Sequence, residues 1–274
     1  MNKIYSCSGD EFIKNSKIPV RVMETQDLMH REIASIMLDV IKKNNALNKK
    51  TTIICPVGPI GQYPYFAQMV NDERVSLKDV TFINMDEYVD EDGKLIDKES
   101  KLSFVKTMND LLYSKIDPEL VMPKSQRIFP EPGKEKQLDE FILSREIDCC
   151  LTGVGINGHI AFNEPPSIDE DITDEQFNHI GTRVLNVSRE TVAVNGQVKV
   201  RGALDIFPKR CITLGMEQLL SAKVFKVYLY CDWQWGIMRK IGLGEVTRFA
   251  PASFLQKHAN AEMVITKALK DASL

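Results

Sequence analysis

No apolar run in the chain approaches the roughly 20 residues that a membrane-crossing helix requires. The opening Met1-Asn2-Lys3-Ile4-Tyr5-Ser6 lacks the apolar centre of a secretory leader. Neither a membrane partner nor export is therefore expected. Strong charge of one sign is also missing: 35 Lys and Arg stand against 38 Asp and Glu, a net charge of −3. That balance gives no electrostatic basis for nucleic acid as the partner. The six cysteines, at 7, 55, 149, 150, 211 and 231, form no CxxC pair, so neither a metal site nor a disulfide framework is expected. Four of them (Cys55, Cys149, Cys150, Cys211) lie in apolar runs and read as small buried hydrophobes in a reducing cytoplasm. Internal repeats and low-complexity tracts are absent as well. The 274 residues are accordingly expected to form one domain spanning 1–274.

Strand-like and helix-like segments alternate along the chain. Met29, Ile33, Ile36, Met37, Val40 and Ile41 recur at three- and four-residue spacing, which predicts an amphipathic helix from Thr25 to Asn44. Further helices are expected from Tyr65, over Phe104–Leu112 and Gln137–Glu146, and around Glu217–Ser221 and Trp235–Ile241. The β-branched and apolar runs at 51–57, 80–85, 148–152, 184–187, 211–214, 224–230 and 262–266 predict strands. Strands apolar throughout, rather than alternating, belong to a sheet covered on both faces. Their alternation with helices implies parallel, right-handed crossovers. The expected fold is α/β: a single doubly wound, mostly parallel sheet with helices on both faces. Ligands in such folds sit beyond the carboxyl ends of the strands.

Several polar clusters fall at such ends. Gly153-Val154-Gly155-Ile156-Asn157-Gly158-His159 follows the strand at 148–152 and runs on to Glu164 and Pro165. Glycines that permit close approach, an imidazole and a nearby carboxylate outline a proton-transfer site. The segment also satisfies GxGxxG, but a dinucleotide motif needs a helix starting at its third glycine. Pro165 and Pro166 stop any such helix, and the nucleotide reading fails. Asp86-Glu87-Tyr88 follows the strand at 80–85; a carboxylate there suits general-base work, although Asp90 to Gly93 continue it as a solvated turn would. Pro56 to Gln62, with Gly58 and Gly61, has the position of a phosphate-cradling turn. It lacks hydroxyls, and its prolines lack N–H groups.

Phe82-Ile83-Asn84-Met85-Asp86-Glu87-Tyr88-Val89 and Gly158-His159-Ile160-Ala161-Phe162-Asn163-Glu164-Pro165 together resemble the glucosamine-6-phosphate deaminase (isomerase) family. That family lies within the superfamily that includes 6-phosphogluconolactonase. Weaker similarity runs through Thr182-Arg183, Ser188-Arg189 and Ile212-Thr213-Leu214-Gly215, covering the chain from about residue 20 to its end. The resemblance implies that Asp86 is the base moving a proton between C2 and C1 of an open-chain amino sugar. It implies that His159, paired with Glu164, assists ring opening and that Arg189 binds the substrate phosphate. The backbone at Gly58, Gly61, Gly155 and Gly158 is expected to approach the sugar. No cofactor is implied, the partner is a small-molecule sugar phosphate, and a homo-oligomer is left open.

Three departures from the family pattern stand out. Asn157 occupies the place of an aspartate, and an amide cannot stabilise imidazolium by charge; Glu164 is expected to take over that role. Residues 57–61 replace a hydroxyl-rich phosphate grip. At 232–235 the family's phosphate-binding lysine is missing and Trp235 stands there, with Lys209 or Arg210 as substitutes. The expected function is conversion of glucosamine 6-phosphate, or a related hexosamine phosphate, to a ketose phosphate and ammonia. The alternatives are a lactonase-type hydrolase and a non-catalytic sugar-binding relative.

Overall fold

In the computed structural model, which describes residues 3–273, the apolar runs are strands and the amphipathic stretches between them helices. The strands are β1 (Val20–Met23), β2 (Thr51–Cys55), β3 (Val80–Asn84), β4 (Asp86–Val89), β5 (Arg127–Ile128), β6 (Ile147–Thr152), β7 (Arg183–Asn186), β8 (Arg210–Thr213), β9 (Ala222–Leu229) and β10 (Ala261–Thr266). The helices are α1 (Gly9–Asn15), α2 (Gln26–Ala46), α3 (Gln62–Asp72), α4 (Phe104–Leu111), α5 (Glu135–Leu143), α6 (Asp174–Asn178), α7 (Arg189–Lys199), α8 (Met216–Leu220), α9 (Gln234–Leu243) and α10 (Lys267–Asp271).

Seven strands form one sheet in the order β1-β10-β9-β6-β2-β3-β5, every neighbouring pair parallel. β2 is buried at every position. Ile53 and Cys55 face one core layer, with Ile33, Met37 and Phe66 of α2 and α3; Ile54 faces the other, with Phe12, Met238 and Ile241 of α1 and α9. This two-sided burial is why these strands are apolar without alternation. Thr25 starts α2 as an N-cap, accepting the Leu28 N–H at 3.2 Å. The chain steps from β2 to β3 on one side of the sheet, whereas β6, on the other side of β2, leads on to β9. The carboxyl ends of β2 and β6 therefore flank the topological switch point, where ligands bind in open α/β sheets.

β4, β8 and β7 form a second, antiparallel sheet, which lies outside the expected architecture. The runs at 184–187 and 211–214 are strands, as their composition predicts, but they pair here and not in the large sheet. Met85 is the link. Its N–H donates to Cys55 O of β2 at 3.1 Å, and its carbonyl accepts the Leu214 N–H just after β8 at 2.8 Å. The chain thus passes directly from one sheet to the other, with Asp86 opposite Thr213 at the seam. Thr213 Oγ1 also accepts the Phe162 N–H at 3.0 Å, tying the segment after His159 to the small sheet.

Thr213 is fully buried, so Thr213→Val would leave the Phe162 N–H without its acceptor. The expected loss is about 1–3 kcal/mol of stability, measured by urea unfolding. An unchanged midpoint would show that the seam does not depend on this bond.

Candidate active site

A cavity of ≈ 330 Å³ lies at the switch point, within the range of small-ligand pockets. Its walls come from residues 56–60 after β2, residues 153–155 after β6, Asp86 with Tyr88 from β4, Phe104, His159 and one face of α7.

Asp86 and Glu87 are neighbours in sequence and both buried, yet their surroundings are opposite. The Glu87 carboxylate accepts the backbone N–H groups of Tyr88 at 2.9 Å, Phe104 at 2.8 Å and Val105 at 2.9 Å, and the Ser103 hydroxyl at 3.0 Å. It is bound to the N-terminus of α4, where unpaired N–H groups and the helix dipole favour an anion. Asp86 is 6 % exposed and lines the cavity. Among the described residues its side chain makes no hydrogen bond and no ion pair. Burial pushes its pKa up to about 8, against the opposing influence of the Lys199 ammonium. The acidic run beyond, Asp90 to Lys94, is an exposed turn closed by Asp90 N–H to Lys94 O at 2.7 Å.

His159 faces the same cavity, 8 % exposed. Its Nδ1 lies 3.0 Å from Asn157 Oδ1 and 3.1 Å from Glu164 Oε2. The Asn157 amide is oriented by the His159 backbone N–H, which donates to Oδ1 at 3.2 Å. Thr191 Oγ1 is a third neighbour at 3.3 Å, but the two shorter contacts are to acceptors, so Nδ1 carries the proton and Nε2 is left as the free acceptor. The Nε2 edge of the ring lies against Gly155, where any Cβ would collide with it. Gly158, with φ of +91°, makes the turn that brings the ring back over Gly155.

Glu164 is the charged partner of this imidazole. Burial alone would raise its pKa; attraction to the His159 ring and hydrogen bonds from His159, Asn157 and Thr191 outweigh that and hold it down at about 2. Asn157 Nδ2 donates to Glu164 Oε2 at 2.6 Å and to Ser188 Oγ at 3.1 Å. Asn157 therefore positions both the imidazole and the carboxylate while carrying no charge itself.

Asp86, His159, Glu164, Asn157, Gly58 and Gly155 are thus at or directly behind the cavity wall. Other expected site residues lie elsewhere. Arg189 is exposed on the first turn of α7 and contributes nothing to the lining; Lys209, exposed, and Arg210, half-buried at the start of β8, do not line it either. Gly61 abuts His30, and Gly158 faces Ile237 and Ala250. Trp235 points away, its indole N–H donating to Ala272 O at 2.8 Å and its ring under the Arg239 guanidinium. Its neighbour Gln234 lines the cavity instead. The Gln234 amide is fully engaged: Oε1 accepts the N–H groups of Tyr230 and Cys231, and Nε2 donates to Val154 O at 2.8 Å.

Lys199, at the end of α7, is the charged lining residue that the motifs did not indicate. The segment 189–199 carries Thr191, Val192, Val194 and Val198 with Gly196 inside, all poor helix formers, and no helix was expected there. Ser188 starts it by accepting the Thr191 N–H. Once helical, Val194, Asn195, Val198 and Lys199 share one face at four-residue spacing and turn it to the cavity.

No family model matches the chain. It is 29 % identical over 255 residues to the glucosamine-6-phosphate deaminase of Mycoplasma mycoides subsp. mycoides SC, covering 90 % of this chain and 93 % of that one. It is 28 % identical over 239 residues to the protein of the same name from Lactococcus lactis subsp. lactis, covering 86 % and 93 %. Among solved structures it is similar to a monomeric glucosamine-6-phosphate deaminase, with a TM-score of 0.78, 23 % identity and 91 % and 98 % coverage. The 6-phosphogluconolactonase of Thermotoga maritima gives a TM-score of 0.63 at 16 % identity, with 90 % and 99 % coverage. The resemblance carried by the two motifs is thus borne out along most of the chain, and so is the α/β fold.

The charge on the imidazole's partner can be moved. Glu164→Gln is expected to lower turnover by about 10²–10⁴-fold, as loss of the carboxylate does in a serine-protease triad. Adding Asn157→Asp to that variant restores a carboxylate at Nδ1 and should recover part of the loss. No recovery would mean that Glu164 acts by position and not by charge.

Proposed function

We propose that the chain is a hexosamine-phosphate isomerase and deaminase, converting glucosamine 6-phosphate or a close relative to the ketose phosphate and ammonia. One observation supports this above the others: a buried carboxylate with no partner among the described residues, Asp86, faces the same small cavity as a His–Glu pair whose tautomer is set. The curated relatives carry that activity in their names.

In this reading His159 Nε2 takes the proton of the C1 hydroxyl and passes it to the ring oxygen as the bond between C1 and that oxygen breaks, and the pyranose opens to the aldehyde. Glu164 stabilises the imidazolium formed on the way. Asp86 takes the proton from C2 and the electron pair moves to the carbonyl oxygen; the same proton then returns to C1 as the amine's electron pair closes the C2 imine, and an amine proton passes to the C1 oxygen. The C2 imine that results accepts water and releases ammonia. The proton transfers of ring opening and between C2 and C1 are assigned to side chains already in the cavity. The single site would operate within one domain, in cytoplasmic amino-sugar metabolism; no helix among the described residues is long and apolar enough to cross a membrane.

Incubation with glucosamine 6-phosphate should release ammonia and ketose phosphate in equal amounts. Acid release from 6-phosphogluconolactone without either product would favour the hydrolase alternative. The base acts ionised, and burial places Asp86 at about 8. Hence kcat/KM should rise with pH and level off above about 8; a plateau already reached by pH 6 would argue against Asp86.

Asp86→Asn should lower turnover by about 10²–10⁴-fold and at the same time raise the melting temperature. The folded carboxyl holds its proton to higher pH than the unfolded one. Its favourable contribution is therefore complete below the ordinary carboxylate range and is lost as pH rises through about 8. An amide escapes that loss, by an expected 2–4 °C for each kcal/mol recovered, roughly, in a chain of this size. A variant less stable than the parent at pH 8 would contradict the assignment of a desolvated base.

A further inference from the structure

Lys199 is the one lysine or arginine in the cavity lining, and among the described residues its ammonium has neither an ion pair nor a hydrogen bond. The residue as a whole is exposed. The ammonium reaches inward, 4.6 Å from the ring centroid of Phe104 and 5.7 Å from that of Tyr88, within the range of cation–π attraction. Asp86 is near enough to respond to its charge, yet the two do not meet within 4.0 Å. A cation and a carboxylate left apart across a cavity leave room for a reacting group between them.

Resting on the deaminase reading, we propose that Lys199 is a catalytic residue, whose ammonium holds the oxygen at C1 of the open-chain sugar and stabilises the enolate formed there when Asp86 removes the C2 proton. The charges balance through the step. Before it, Asp86 is anionic and the aldehyde neutral; after it, Asp86 carries the proton and the negative charge rests on the C1 oxygen. The ammonium faces one negative charge throughout, and that charge moves from the carboxylate to the substrate. A fixed cation at the place where charge develops needs no reorganisation during the step, which is the basis of oxyanion stabilisation.

The alternative is that Lys199 holds the substrate phosphate. Its surroundings disfavour this. Asp86 and Glu87 both bear on the ammonium, and burial lowers its pKa. A dianion brought to it would also sit beside those two carboxylates, whereas an enolate arises only as Asp86 loses its charge. The titratable groups of the lining are Asp86 and Tyr88 of β4, Lys199 of α7, His159, Tyr228, Tyr230 and Cys231, with Glu87, Glu164 and Cys211 beside them.

The test compares Lys199→Met and Lys199→Arg with the parent enzyme, on glucosamine 6-phosphate and on glucosamine, by ammonia release. Lys199→Met is expected to lower kcat by about 10²–10³-fold on either sugar with KM little changed, and Lys199→Arg to recover part of it. Removing the cation also raises the Asp86 pKa, so the acid limb of kcat/KM should move to higher pH in Lys199→Met. Circular dichroism of each variant checks that the fold is kept. A rise in KM confined to the phosphorylated sugar, with kcat retained, would assign Lys199 to the phosphate and overturn the proposal. Unchanged kinetics would overturn it too, while leaving the deaminase reading in place. A parent enzyme that releases no ammonia from either sugar would overturn both.

Discussion

The site depends on the crossing from β3 to β4 at Met85. One residue is bonded on one side to the central strand β2 and on the other to the chain leaving β8. Two sheets that would otherwise need only side-chain packing to stay in register are joined through a backbone. The residue emerging from the crossing, Asp86, is held at the seam, where β2, β8 and the glycine-rich turn after β6 converge. Thr213, opposite Asp86 in register, binds the backbone after His159. The proposed base and the proposed proton shuttle are therefore placed by the same seam. Neither sits on a loop free to wander.

The seam also explains why two adjacent acids behave so differently. Successive strand residues point to opposite faces. Glu87 faces the start of α4 and is enclosed by backbone N–H groups. Asp86 faces the cavity and meets the rings and aliphatic walls around it. A carboxylate surrounded by donors is stabilised as an anion; one surrounded by carbon is not. In the proposed reaction the instability of the ionised Asp86 would serve the chemistry, because a base with its proton affinity raised toward neutrality can both remove and return a proton. His159 and Glu164 are the converse: the carboxylate is held as an anion, and the imidazole is kept in one tautomer.

Much of this was legible in the sequence, and what was not has identifiable causes. β2, β3, β6, β9 and β10 could be read because strands buried on both faces must be apolar throughout. Asp86, His159 and Glu164 could be read because each lies in a specific motif at a strand end. The second sheet could not, since composition marks 183–186 and 210–213 as strands without saying what they pair with. α7 was hidden by its β-branched residues and Gly196, whose helical state comes from tertiary packing, and Lys199 was hidden with it. The shift from Trp235 to Gln234 has a geometric cause. One residue along a helix turns the side chain by about 100°, enough to exchange a cavity-lining amide for a core indole.

The distribution of charge in the cavity bears on what kind of catalyst this would be. Residues 56–64 contain no charged side chain, Pro56 and Pro59 offer no N–H, and the Gln234 amide is already bonded at both ends. Around Val57, Pro59, Ile60 and Trp233 the wall can offer a sugar apolar contact and a few backbone groups. Such contacts act on substrate and transition state alike; they lower KM without accelerating the chemical step. The charged groups, Asp86, Lys199, and His159 with Glu164, are instead gathered where protons and electrons would move. In the proposed reaction binding strength and rate would thus be carried by different parts of the same small cavity. A change in the sugar's distal end can then alter affinity while leaving the proton transfers at C1 and C2 intact.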